Sequence, residues 1–173
     1  MKKKRKVRKK MKTQNKIKTA GEIGKIAKEL REEGKIIVTT NGSFDILHYA
    51  HVNLLEKAKN EGDILIVLLN SDDSIRRFKG DSRPIIPEQE RARMLASLQC
   101  VDYVVIFDED KPLKLLETIK PHKHMKGGTF IEERIREEKE LLARWGGEFK
   151  NFELEEGFST TNIINKILEK NGK

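Results

Sequence analysis

Apolar positions along the chain fall into two alternating patterns. Short continuous runs occupy residues 35–40 (Lys-Ile-Ile-Val-Thr-Thr), 64–69 (Ile-Leu-Ile-Val-Leu-Leu) and 103–107 (Tyr-Val-Val-Ile-Phe), with shorter ones around His124-Met125 and over 148–152. Their length and β-branched content predict strands. Between them apolar residues recur every three or four positions, which predicts helices over 51–60, 87–99, 112–119, 131–144 and 161–170. A leading helix is predicted over 19–33, where Ile23, Ile26, Ala27 and Leu30 share a face, Thr19 and Glu22 have capping-box spacing, and Gly34 provides a stop. Uninterrupted apolar strands alternating with helices indicate a parallel sheet covered on both sides. The expected fold is therefore α/β: a doubly wound parallel sheet of about five strands with helices on both faces, plus the leading N-terminal helix.

In such a sheet, right-handed crossovers put ligands beyond the carboxyl ends of the strands, where the strand order reverses. The first strand runs into Asn41-Gly42-Ser43-Phe44-Asp45-Ile46-Leu47-His48-Tyr49-Ala50-His51. His48 and His51 are three residues apart, so they share one face of a helix start beside unpaired backbone N–H groups, a site that attracts phosphate oxygens. Backbone at Asn41, Gly42, Ser43 and Phe44 is expected to approach the phosphates, with Asp45 orienting the turn rather than abstracting a proton. Lys126-Gly127 follows a later strand, and Ser159-Thr160-Thr161 opens the last helix with hydroxyls and free N–H groups. All three segments should converge on one end of the sheet. Lys79 and Arg83 fall in a Gly/Pro-rich stretch, read as a loop able to close over bound phosphate. His122 and His124 would share a face of a strand, but with no third ligand at hand they read as surface or pocket-rim residues, not a metal site.

Charge changes the picture only when localised. The formal net charge is +8, yet residues 1–18 hold 11 of the 36 basic residues and no Asp or Glu, leaving 25 basic against 28 acidic residues in the remainder. The chain is thus read as a disordered basic tail, 1–18, and one domain, 19–173. Within the tail, Lys2-Lys3-Lys4-Arg5-Lys6-Val7 resembles a nuclear localisation signal. The plainer readings are a solvated tail, or a true start at Met11. Nucleic acid is expected as a partner only through this tail. The single cysteine, Cys100, excludes an internal disulfide and reads as a core residue. No secretory signal or membrane-spanning apolar run is evident, so a cytoplasmic protein without membrane contact is expected.

The pattern Gly-x-Phe-Asp-x-x-His-x-x-His resembles the signature of the cytidylyltransferase-like nucleotidyltransferases. Asn70-Ser71-Asp72, Lys79-Gly80-Asp81-Ser82-Arg83-Pro84, Val101-Asp102-Tyr103-Val104-Val105, Lys126-Gly127-Gly128 and Gly157-Phe158-Ser159-Thr160-Thr161-Asn162-Ile163-Ile164 follow in the order of its heptose 1-phosphate adenylyltransferase branch. The resemblance implies a Rossmann-like fold and transfer of AMP from ATP to a sugar 1-phosphate of the D-glycero-β-D-manno-heptose type, releasing pyrophosphate, in ADP-heptose biosynthesis. It implies His48, His51 and Lys79 as catalytic residues, and phosphate contacts from Arg83, Lys126, Ser159, Thr160 and Thr161. It also implies a homodimer, and Mg²⁺ held by the triphosphate rather than by a protein cage. With no sugar kinase segment in the sequence, a separate kinase would supply the acceptor. Two positions depart from the pattern: Ala50 replaces the glycine of His-x-Gly-His, and Thr129 replaces an acidic residue; Leu154 and Glu155, where glycerol-type enzymes carry Arg-Thr, count against that branch. The alternatives are a cytidylyltransferase acting on glycerol 3-phosphate or a related alcohol phosphate, and a non-catalytic nucleotide- or nucleic-acid-binding protein. Adenylyl transfer to a flavin phosphate lacks support in residues 79–84.

Overall fold

A computed structural model describes residues 12–128, 132–153 and 157–171. The basic run 2–7, Met11, Thr129, Leu154 and Glu155 lie outside the described residues. After a 3-10 turn at Thr13–Lys16, the elements run β1 (Ile17–Lys18), α1 (Ala20–Glu32), β2 (Ile37–Gly42), α2 (Tyr49–Lys59), β3 (Ile64–Asn70), α3 (Asp72–Lys79), α4 (Glu88–Ser97), β4 (Tyr103–Phe107), α5 (Leu113–Ile119), β5 (Lys123–Gly127), α6 (Glu132–Ala143), β6 (Glu148–Phe152) and α7 (Thr160–Asn171). The six strands form one sheet in the order β1-β4-β3-β2-β5-β6, and each pairing is parallel.

Alternation along the strands divides the core. Val38, Leu65, Val67, Leu69, Val104 and Met125 pack with Leu55 and Ala58 of α2 and with Ala92, Leu95 and Ala96 of α4. Ile37, Ile66, Leu68, Val105 and Phe107 face the other way, onto Ile23 and Ala27 of α1, Leu115, Leu116 and Ile119 of α5, and Leu141 of α6. Central β3 is buried along nearly its whole length, which is why its sequence is an unbroken apolar run. Each fully buried Leu or Ile contributes roughly 1.5–3 kcal/mol relative to exposure. No helix among the described residues is long and apolar enough to cross a membrane.

Helix α1 starts as its spacing predicts: the Glu22 N–H donates to Thr19 Oγ1 (3.3 Å) while the Thr19 N–H donates to Glu22 Oε2 (2.8 Å). Gly34 follows the helix at φ 72°, the left-handed conformation that costs glycine least. Three expectations are corrected. Among the described residues the expected parallel sheet gains a sixth strand, β1, because residues 12–18, expected in the tail, are part of the domain. Ile17 and Lys18 pair with Val104 and Val105, and the Lys16 ammonium donates to Leu98 O (3.1 Å) and Val101 O (2.6 Å) after α4. Residues 72–79 form α3 rather than loop, so Lys79 ends a helix and only Arg83 lies in the loop beyond it. Ser71 caps α3 by accepting from the Ser74 N–H (2.9 Å), and Asp72 and Asp73 complement the dipole at its first turn. Finally, His124 is fully buried, its Nδ1 2.8 Å from Thr39 Oγ1. It is a core residue of β5, not a rim residue.

Candidate active site

The chain moves from β2 outward through β3 to β4, then crosses to β5 on the other side of β2. The switch in strand order therefore falls between β2 and β5, and a cavity of about 390 Å³ opens there. Each predicted site residue lines it: Asn41, Gly42, Ser43, Phe44, His48, His51, Lys79, Arg83, Lys126, Gly127, Ser159, Thr160 and Thr161, together with Asp45, Leu54, Asn70, Phe78 and Phe158.

The turn leaving β2 is strained and held on both sides. Phe44 and Ile46 have φ of 45° and 50°, a region costing a non-glycine residue about 1–3 kcal/mol. Phe44 is 4% exposed, and its ring folds back to 3.1 Å from where a Cβ on Gly42 would sit, so Gly42 leaves room for it. The Asp45 carboxylate is buried and accepts from the Ile85 and Ile86 N–H groups (3.1 and 3.0 Å). It also forms an ion pair with Arg83 at 2.9 Å. Asp45 thus ties the turn to the loop after α3, an orienting arrangement that commits the carboxylate to Arg83 and the two backbone N–H groups.

Arg91, which sequence reasoning missed, supplies the second tie. Fully buried on α4, it donates to Ser43 O (2.6 Å), Asn70 O (2.9 Å) and Ile86 O (2.8 Å), and pairs with Asp72 at 2.6 Å. One guanidinium thereby joins the turn after β2, the end of β3, the start of α3 and the loop before α4. Its sequence context is an ordinary charged helix, and only tertiary closure marks it.

His48 is the N-cap of α2 and His51 lies in its first turn. Their rings stack with centroids 3.7 Å apart, and Phe44 packs on His51 at 5.2 Å. Burial lowers the pKa of His48. His51 is lowered to about 4, first by burial and then by His48 and Lys79, with Asp45 opposing. Both imidazoles are thus held toward the neutral form at pH 7. Their Nδ1 atoms are buried without a hydrogen-bond partner among the described residues. Lys79 has a lowered pKa through burial and the neighbouring Arg83 cation. Ala50, 3% exposed, does not line the cavity, so the methyl replacing the motif glycine obstructs no ligand there.

The other wall comes from β5 and α7. Lys126 donates to Glu138 Oε1 of α6 (2.6 Å), and Glu138 is 1% exposed with Oε2 unpartnered among the described residues. A half-satisfied buried carboxylate is expensive. Glu138, hidden in sequence within an acidic run, fixes the Lys126 ammonium at the cavity edge. Ser159 caps α7 by accepting from the Asn162 N–H (3.0 Å), while the Thr160 hydroxyl donates to Asp45 O (2.6 Å). Those two hydroxyls therefore hold the helix in place, and what α7 presents to an anion is its N-terminal backbone and Thr161. Among the described residues no three His, Cys, Asp or Glu side chains gather to hold a metal.

A cytidylyltransferase-like family model matches residues 39–166. The bifunctional protein HldE of Syntrophotalea carbinolica is 52% identical over 140 residues, covering 81% of this chain and 28% of that protein. The protein of the same name from Geobacter sulfurreducens is 49% identical over 150 residues, 87% of this chain and 30% of that one. The chain therefore spans under a third of the length of these curated relatives. A lipopolysaccharide core biosynthesis protein from Thermoplasma volcanium superposes with a TM-score of 0.58 at 28% identity, over 70% of this chain and 98% of that one. Pantoate-beta-alanine ligase from Francisella tularensis, at 18% identity and a TM-score of 0.59 over 88% of this chain and 77% of its own, shares the fold alone. With the family model spanning the histidine turn, the Lys126 strand and the start of α7, the chain belongs to the cytidylyltransferase-like family of nucleotidyltransferases.

Proposed function

We propose that this domain transfers AMP from ATP to a sugar 1-phosphate of the D-glycero-β-D-manno-heptose type. An acceptor phosphate oxygen attacks the α-phosphorus, the bond to the bridging oxygen breaks, and its electron pair leaves with pyrophosphate. The observation that carries the reading is the stacked, neutral His48–His51 pair beside Lys79 and Arg83 at the switch point. The attacking oxygen is already anionic, so the reaction needs alignment and charge neutralisation rather than a strong base. His48 and His51 donate to phosphate oxygens as charge moves to the leaving group, and Lys79 offsets that charge. The turn at Ser43 and Phe44 and the start of α7 fix the α-phosphate between them. Mg²⁺ bound to the triphosphate oxygens would supply further charge neutralisation. Lys79, Arg83 and the N-terminus of α7, which hold the phosphates in this reading, would hold it through them, because Asp45 is taken up by Arg83 and the loop N–H groups. The sugar preference rests on the motif order and on the identity to proteins named HldE. We also place the enzyme in the cytoplasm as a homodimer.

Pyrophosphate release with Mg²⁺, testing ATP and CTP against heptose, glycerol, ethanolamine and flavin phosphates, decides the matter. Release with ATP and the heptose phosphate is expected. CTP with glycerol 3-phosphate would assign the cytidylyl reaction instead, and nucleotide binding without release from any pair would assign a non-catalytic binder. His48→Ala and His51→Ala should each lower turnover by about 10²–10⁴-fold with an unchanged melting curve.

A further inference from the structure

Two phenylalanines at the cavity keep about half their surface in solvent, Phe78 at 53% and Phe158 at 48%. The phosphate chemistry uses neither. Their surroundings separate them. The Lys79 ammonium sits 5.7 Å from the Phe78 ring centroid, so that ring belongs to the cationic wall. Phe158 instead lies against Tyr49, with centroids 5.1 Å apart and planes at 55°. Tyr49 is itself anchored, its hydroxyl accepting from Asn53 Nδ2 at 3.2 Å.

Both rings adjoin groups that face phosphate. Tyr49 directly follows His48, and Phe158 directly precedes Ser159. Two residues further on, the bond from Thr160 to Asp45 O holds this stretch against the turn. A ligand whose phosphate chain lies between the histidines and α7 therefore has a supported aromatic ring beside it. A nucleoside triphosphate joins such a chain to a planar base, and bases stack on aromatic side chains.

We infer that Phe158, backed by Tyr49, is the platform on which the nucleobase stacks. The inference rests on the nucleotidyltransferase reading and deepens it, because the polar groups of the cavity suit phosphate and leave the base unaddressed. A purine presents a larger face than a pyrimidine, so the platform favours ATP over CTP.

Calorimetric titration with Mg²⁺ compares ATP, CTP and inorganic tripolyphosphate, which has the anionic chain without a base. Phe158→Ala should weaken ATP roughly ten- to hundredfold, leave tripolyphosphate within about twofold by the same reasoning, and narrow the preference for ATP over CTP. Phe158→Trp should restore ATP binding, and Phe158→Leu, which keeps apolar bulk without a π-face, should not. An undiminished ATP affinity in Phe158→Ala, an equal loss for ATP and tripolyphosphate, or rescue by leucine would each overturn the platform. Wild-type protein that binds tripolyphosphate as tightly as ATP removes the platform alone. Wild-type protein that binds neither removes the nucleotidyltransferase reading, and the platform with it.

Discussion

His51 is the residue at which burial and chemistry act on the same proton. Its pKa near 4 reflects the cost of a buried cation beside His48 and Lys79. An incoming triphosphate reverses that field, so the folded pKa rises on binding and the complex takes up protons between about pH 4 and the bound value. ATP titrations at pH 6 in two buffers of different ionisation enthalpy should show this uptake, and His51→Gln should reduce it. Without ligand the sign is opposite for stability. The unfolded histidine binds a proton that the folded one refuses, so this contribution is present above pH 6.5 and is lost as pH falls toward 4. Urea midpoints across that window should fall less steeply in His51→Gln than in the wild type. Arg91 makes a different demand. Arg91→Met leaves Asp72 and three carbonyls without their donor, and losing one partner of a buried pair costs about 3–5 kcal/mol. A lower urea midpoint together with reduced turnover is expected; an unchanged midpoint would mean that the turn does not depend on this tie. The two histidines were legible in sequence because their spacing puts them on one face. Arg91 and Glu138 were not, because a charged residue within a charged helix looks the same whether it meets solvent or a buried partner.

Elements were legible where local chemistry agrees with tertiary use. The capping box of α1 and the unbroken apolar run of β3 each announce themselves within a few residues. Helix α3 does not: among its eight residues only Ile75 is a buried apolar position, and Phe78 turns toward solvent, so no apolar stripe develops. Strand β1 is harder still, since two residues carry no period and the neighbouring lysines suggest disorder. Its reason for existing is tertiary: it covers the edge of β4, and Lys16 donates to the Leu98 and Val101 carbonyls in the connection between α4 and β4. That separates two truncations which the sequence treats alike. A chain of residues 12–173 should melt with the full-length protein, whereas residues 19–173 should melt several degrees lower. Equal melting of both truncations would mean that β1 adds nothing to the sheet.

At the scale of the molecule, the two ends of the sheet divide the work. The cavity lies beyond the carboxyl ends of the strands, while Lys16 contacts Leu98 and Val101 in the connection that precedes β4, so the chain enters at the amino ends. Residues 1–11 carry eight Lys or Arg and no acidic residue, and residues 12–173 carry 28 basic against 28 acidic residues. The excess positive charge thus belongs to a segment joined to the face opposite the cavity. A polyanion drawn to that segment has no reason to compete with a nucleotide. Full-length protein should bind single-stranded DNA at low salt, with a log–log salt slope no steeper than about −6 if all eight basic groups engage phosphate. Residues 12–173 should show no such binding, while turning over nucleotide at the same rate. Filter binding against salt concentration, run beside pyrophosphate release with and without DNA, checks both halves. DNA that inhibits release from the full chain but not from residues 12–173 would mean that the segment reaches round to the cavity, and the division of the molecule into two ends would fail.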